Sequence, residues 1–154
     1  MENSIKVLFI CQHNSGRSQM AEAYLRKFYG DRFEVESAGL EPSESIHPLV
    51  AQVMAEEGID LSHKKPQSLF ALFQKGRLFD YVVTVCHDGE SKCPIFAGIT
   101  RRAHVPFPDP AGVTGSESEK LEQVRKIRDD IKAWLLQPSL SAIDFKALAE
   151  TRVG

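Results

Sequence analysis

Near the N-terminus a short apolar run, Val7-Leu8-Phe9-Ile10, stops on Cys11 and gives way to the polar loop Gln12-His13-Asn14-Ser15-Gly16. Consecutive apolar residues suit a strand covered on both faces, as in a parallel sheet. From Arg17 onward Met20, Ala21, Tyr24, Leu25 and Phe28 recur at helical spacing, so the loop opens directly into a helix N-terminus. Cys11 is thereby placed at the head of a helix, where unpaired N–H groups and the helix dipole favour negative charge. With Arg17 as a neighbouring cation, that position suits a nucleophilic thiolate. Five residues separate Cys11 from Arg17. That is room for a curl in which backbone N–H groups converge on one anion while the guanidinium grips its oxygens from the side. Ser15 and Gly16 are small enough to let the backbone approach a ligand, and Ser18 adds a hydroxyl. Gln12, His13, Asn14, Ser15, Gly16, Arg17 and Ser18 are therefore the expected oxyanion-binding set.

Strand and helix continue to alternate along the chain. The first helix is expected to fade near Tyr29-Gly30, and Phe33 to Ala38 alternates as a second strand. Pro48 is well placed to start an amphipathic helix through Leu49, Val50, Val53 and Met54, which Gly58 would end. Ser68 to Phe73 reads as a short helix carrying Leu69, Phe70, Leu72 and Phe73 into the core. Phe79 to Cys86 is a second β-branched run and hence a central strand. Arg102 to Phe107 is a weaker strand, acceptable at an edge because Pro106 removes a ladder donor. Leu121, Val124, Ile127, Ile131, Trp134 and Leu135 fit a long helix stopped before Pro138, and Ile143, Phe145, Leu148 and Ala149 fit an extra one. The expected fold class is α/β, a single-domain three-layer sandwich with a four-stranded parallel sheet flanked by helices. Residues 1–137 form the domain and 138–154 a C-terminal extension. Ligands in such sheets bind outside the carboxyl ends of the strands. Cys11, Cys86 and Asp109 all follow strand ends.

Composition narrows the function classes. A formal net charge of −2 with only the short basic runs His63-Lys64-Lys65 and Arg101-Arg102 gives no nucleic-acid footprint. No apolar run approaches the roughly 20 residues of a membrane helix, and Met1-Glu2-Asn3-Ser4 leads straight into a strand without a secretory pattern. A cytoplasmic location is expected. Three cysteines, an odd number, argue against a disulfide framework and for reactive thiols. A zinc site using Cys86 and Cys93 with His87 or His104 lacks the paired spacings of structural sites, so no metal and no cofactor are expected.

Cys11, five residues, Arg17-Ser18, then Met20-Ala21-Glu22 resembles the phosphate loop of low-molecular-weight protein tyrosine phosphatases and of the arsenate reductases built on that fold. The resemblance covers about residues 5 to 136. It implies that Asp109, in Pro108-Asp109-Pro110, is the general acid, and that Asn14 and Ser18 steady the loop and the thiolate. The reductases that this chain resembles carry two further cysteines separated by six residues, which Cys86 and Cys93 reproduce. Implied in turn is reduction of arsenate by Cys11 and a relay that ends in a Cys86–Cys93 disulfide, restored by thioredoxin or a low-molecular-weight thiol. A helix over that interval would hold the two sulfurs about 10 Å apart, so pairing requires the segment with Gly89 to loop or unwind. In relatives a monovalent cation is associated with positions matching Asn14, Glu22, Ser37 and an acidic residue. Gln67 falls near the last, so no such site is expected. Two alternatives stay open: a phosphatase hydrolysing phosphate monoesters with Cys11, Arg17 and Asp109, and a non-enzymatic oxyanion-binding or redox-sensing module. His13 reads as a solvent-facing member of the loop after Cys11 rather than a catalytic base, and His47, His63, His87 and His104 carry only a surface reading.

Overall fold

The computed structural model describes residues 4–86 and 101–136 together with Phe145. Strands β1 (Ile5–Cys11), β2 (Phe33–Gly39), β3 (Tyr81–Thr84) and β4 (Arg101–His104) form one parallel sheet in the order β2-β1-β3-β4. β1 takes an inner place because it is the most apolar: every residue from Val7 to Cys11 is buried. β4 is an edge strand and exposes His104 together with Arg101 and Arg102, whose charges discourage pairing with another chain. The chain leaves β1 toward one neighbour, β2, and later returns on its other side as β3. The order reverses between β1 and β3, the point at which open parallel sheets hold their ligands.

Helices α1 (Arg17–Tyr29), α2 (Pro48–Ala55) and α4 (Glu117–Leu136) cover one face. Their residues Met20, Leu25, Val50, Val53, Ile127 and Ile131 pack on Val7, Phe9, Val35 and Val83 of the sheet. The opposite residues of the same strands, Leu8, Ile10, Ala38 and Val82, meet Leu69 and Leu72 of the short helix α3 (Leu69–Gln74) and Phe79. Alternation along each strand thus feeds two cores, and the architecture is the expected three-layer α/β sandwich. Phe145 is fully buried against Phe9, Phe33 and Trp134, with ring centroids 6.0, 5.7 and 5.8 Å away. The extension therefore contributes a core residue, while its other positions lie outside the described residues.

Some boundaries differ from the sequence reading. β3 spans only Tyr81–Thr84, although Val105 N–H still donates to Thr84 O and Phe107 N–H to Val85 O. α3 turns Leu69 and Leu72 inward and leaves Phe70 68% and Phe73 47% exposed. A six-residue helix has one inward row, spaced i and i+3, and Phe70 and Phe73 form the row beside it.

Candidate oxyanion site

The loop of residues 12–16 is shaped by what its carbonyls bond. Glu41, Ser43 and His47 N–H donate to the carbonyls of Gln12, His13 and Ser15, and Met20 N–H donates to Gly16 O. The carbonyl of Asn14 accepts from Gln19 Nε2 at 3.1 Å. A trans peptide holds its C=O and its N–H on opposite sides. Carbonyls turned toward these surrounding segments leave the amide hydrogens of residues 13 to 17 facing the interior of the loop. Asn14 N–H shows the direction, donating to Cys11 Sγ at 3.2 Å. Asn14 stands at φ 53, a left-handed conformation that asparagine tolerates better than most residues. Successive inward N–H groups make an anion-binding concavity, and α1 begins at its rim with Arg17, adding the positive end of its dipole.

A second network holds the sulfur. Asn14 Nδ2 donates to Ser18 Oγ at 2.7 Å, and the Ser18 hydroxyl lies 2.9 Å from Cys11 Sγ, where it donates whenever the sulfur is a thiolate. Asn14 Oδ1 is itself fixed by Gln67 N–H at 2.8 Å and Gln19 Nε2 at 3.1 Å. Two donors thus converge on Cys11, each positioned by a buried polar chain.

Arg17 is only 2% exposed, and its Nη1 donates to Phe107 O at 3.1 Å. Its Nη2 lies 3.9 Å from Asp109 Oδ2. Asp109 Oδ1 accepts from Ala111 N–H at 2.9 Å and caps the turn Pro110–Gly112, so the carboxyl is oriented by its own loop. That loop rests directly on the anion loop, since a Cβ at Gly16 would come within 3.2 Å of Pro110 Cγ. Cys11, Arg17 and Asp109 line a single pocket together with His13, Ser15, Gly16, His47, Pro110 and Ala111.

Cys86 is fully buried. Ile10 is paired with Thr84, so Cys11 and Cys86 lie past the same ends of two neighbouring strands. Alternation along β3 sends Cys86 to the sheet face opposite Cys11, and backbone bonding continues past Thr84, with Val85 N–H donating to Ile10 O and Phe107 N–H to Val85 O. Cys93 and His87 lie outside the described residues. His104 bonds Thr84 Oγ1 through Nδ1 at 2.7 Å. The Glu22 carboxylate, behind α1, accepts from Ser37 Oγ at 2.7 Å and Lys64 Nζ at 2.6 Å, while Gln67 Nε2 donates to Ser37 O at 2.8 Å.

Sequence reasoning missed Gly39, Gln67, Gln19 and the place of His47. None belongs to a motif of reactive residue types. The one available signal was Gly39, a glycine at the end of the strand paired with Cys11.

The profile of the family described as low molecular weight phosphotyrosine protein phosphatase matches residues 6–144. The chain belongs to that family. Within it, the arsenate reductase of Bacillus subtilis (strain 168) is 38% identical over 131 residues, covering 85% of this chain and 91% of the relative. Among solved structures, the arsenate reductase of Archaeoglobus fulgidus superposes with a TM-score of 0.63 at 30% identity, over 82% of this chain and 95% of that one. A thioredoxin-dependent arsenate reductase of Corynebacterium glutamicum superposes with a TM-score of 0.55 at 33% identity, over 86% of this chain and 63% of that one. These relatives favour the reductase reading of the family motif over the phosphatase one.

Proposed function

We propose that this phosphatase-family chain reduces arsenate to arsenite with Cys11 as its nucleophile. The observation that carries the reading is the convergence of Cys11, Arg17 and Asp109 on one pocket floored by inward N–H groups. The relatives named arsenate reductase supply the substrate. Arsenate binds in the loop of residues 12–18, its charge offset by Arg17 and the backbone donors. The Cys11 thiolate attacks arsenic: a sulfur–arsenic bond forms, an arsenic–oxygen bond breaks, and Asp109 gives its proton to the departing oxygen, which leaves as water. Cys86 then attacks Cys11 Sγ. The sulfur–sulfur bond forms as the sulfur–arsenic bond breaks, and its electron pair stays on arsenic, which leaves as arsenite. Cys93 attacks Cys86, freeing Cys11 as a thiolate and leaving a Cys86–Cys93 disulfide. Two sulfurs have each lost one electron and arsenic has gained two.

Thioredoxin is the reductant proposed for that disulfide, because the Corynebacterium glutamicum relative is thioredoxin-dependent; a low-molecular-weight thiol is the other candidate. The phosphatase reading draws on the family profile. Against it, no Phe, Tyr or Trp stands among the described residues lining the pocket, and Ala111-Gly112 follow Asp109-Pro110. The test is NADPH consumption by thioredoxin reductase and thioredoxin on adding arsenate, beside hydrolysis of an aryl phosphate. Sustained arsenate-dependent consumption, lowered about 10²- to 10⁴-fold in Asp109→Asn, supports the reductase. Rapid aryl phosphate hydrolysis with no arsenate turnover on any thiol donor overturns it.

A further inference from the structure

His47 lines the same pocket as Cys11, Arg17 and Asp109, although nothing in its sequence surroundings marks it. Its backbone is fixed against the anion loop, because His47 N–H donates to Ser15 O at 2.9 Å. Its ring is fixed from the other side. Pro48 occupies the first position of α2 and has no N–H, so the first amide available for capping is that of Leu49, which donates to His47 Nδ1 at 3.2 Å. An Nδ1 that accepts carries a lone pair, and the neutral imidazole then holds its proton on Nε2. The half-buried ring therefore keeps one donor, Nε2–H, for the pocket it lines.

The other histidine of the lining has the reverse polarity. His13 Nδ1 lies 2.9 Å from the carbonyl oxygen of Glu41, which only accepts, so Nδ1 carries the proton and a neutral Nε2 is an acceptor. An oxyanion offers only lone pairs at its unprotonated oxygens. Of the two rings, His47 alone offers it a donor without first taking up a proton.

We propose that His47 is a further oxyanion-binding residue, its Nε2–H donating to an oxygen of the tetrahedral anion held by the loop of residues 12–18. The proposal rests on the reading that this pocket takes arsenate. Capping and ligand binding thereby fall to opposite nitrogens of one ring, so the two roles can be separated. His47→Asn retains a capping oxygen for Leu49 N–H and loses the ring donor; His47→Ser does the same with a different cap.

The measurement is protection of Cys11 from alkylation by iodoacetamide, titrated with inorganic phosphate, a tetrahedral anion that does not oxidise sulfur. Melting temperature and arsenate kinetics are followed alongside. In both variants the half-protecting phosphate concentration is expected to rise about tenfold, as for one lost hydrogen bond to a charged group. KM for arsenate rises in parallel, while kcat, the melting temperature and the alkylation rate without phosphate stay near those of the native chain. Protection within twofold of the native chain in either folded variant overturns the role of His47. Phosphate that fails to protect the native chain overturns the oxyanion pocket itself, and the two failures are distinguishable.

Discussion

A methyl group at Gly39 would stand 2.8 Å from both Asn14 N and Gln12 O and 2.9 Å from the His13 carbonyl carbon, all of them backbone atoms. Backbone has no rotamer with which to yield, so the loop must shift. Gly39→Ala is expected to lower arsenate turnover about a hundredfold, the scale of an ångström-sized misplacement, and to destabilise the fold by about 1–3 kcal/mol. Coupled kinetics and urea unfolding read the two effects separately. That Cys11, Arg17 and Asp109 would stand on one rim was legible in the sequence, because each follows a strand end or sits in a constrained loop, and the three do line one pocket. Gly39, Gln67 and Gln19 were not legible there. Their contributions are a missing side chain, a backbone N–H and an amide that bridges from α1, and each acquires meaning only when segments distant in the chain are folded together. His47 was assigned to the surface for the same reason, since its histidine type fits a bland reading until residues 41–47 are seen against the anion loop.

The strand-loop-helix from β1 to α1 was equally plain from periodicity, because a buried strand and an amphipathic helix have different periods. α3 was harder: with five apolar residues in six, its pattern could not say which row faces inward. The joint between α2 and α4 was invisible in the sequence, being made of charged side chains far apart along it. Glu56 follows α2 and accepts from Arg125 and Arg128 of α4, and Glu57 accepts from Lys132 and Tyr24. The hydrogen bonds from Arg125, and then those from Arg128, lower the Glu56 pKa from 4.5 to about 2. The Lys132 ammonium, and then the Tyr24 hydroxyl, hold Glu57 below its ordinary value. A carboxylate whose pKa is lowered on folding contributes stability that is complete above its unfolded value and lost as the pH falls through the folded one. Melting temperature is therefore expected to decline as the pH drops from about 4.5 toward 2. In thermal melts followed by circular dichroism, Glu56→Gln should melt lower at neutral pH and lose part of that decline. An equal slope in native chain and variant would remove Glu56 from the joint.

The sheet order β2-β1-β3-β4 explains why residues from distant parts of the chain meet. β1 delivers Cys11 to the pocket at the reversal and the segment after β4 brings Asp109 over the anion loop, while Cys86 is buried past the end of β3 and is not part of that lining. The alternation of strands and helices made this layout readable before any coordinates, because parallel sheets gather their ligand loops on one rim. The course from Cys86 to Cys93 was not readable at that level, since a polar stretch carries no periodicity to assign. The account as a whole requires oxidising equivalents to enter at Cys11 and leave through Cys86 and Cys93. Peptide mapping by mass spectrometry, after one equivalent of arsenate is added to fully reduced protein without a reductant, tests that requirement most directly. The expected result is one arsenite per chain, a Cys86–Cys93 disulfide with Cys11 free, and a Cys11–Cys86 disulfide trapped in Cys93→Ser. Three thiols still reduced, with the arsenic still pentavalent, would contradict it.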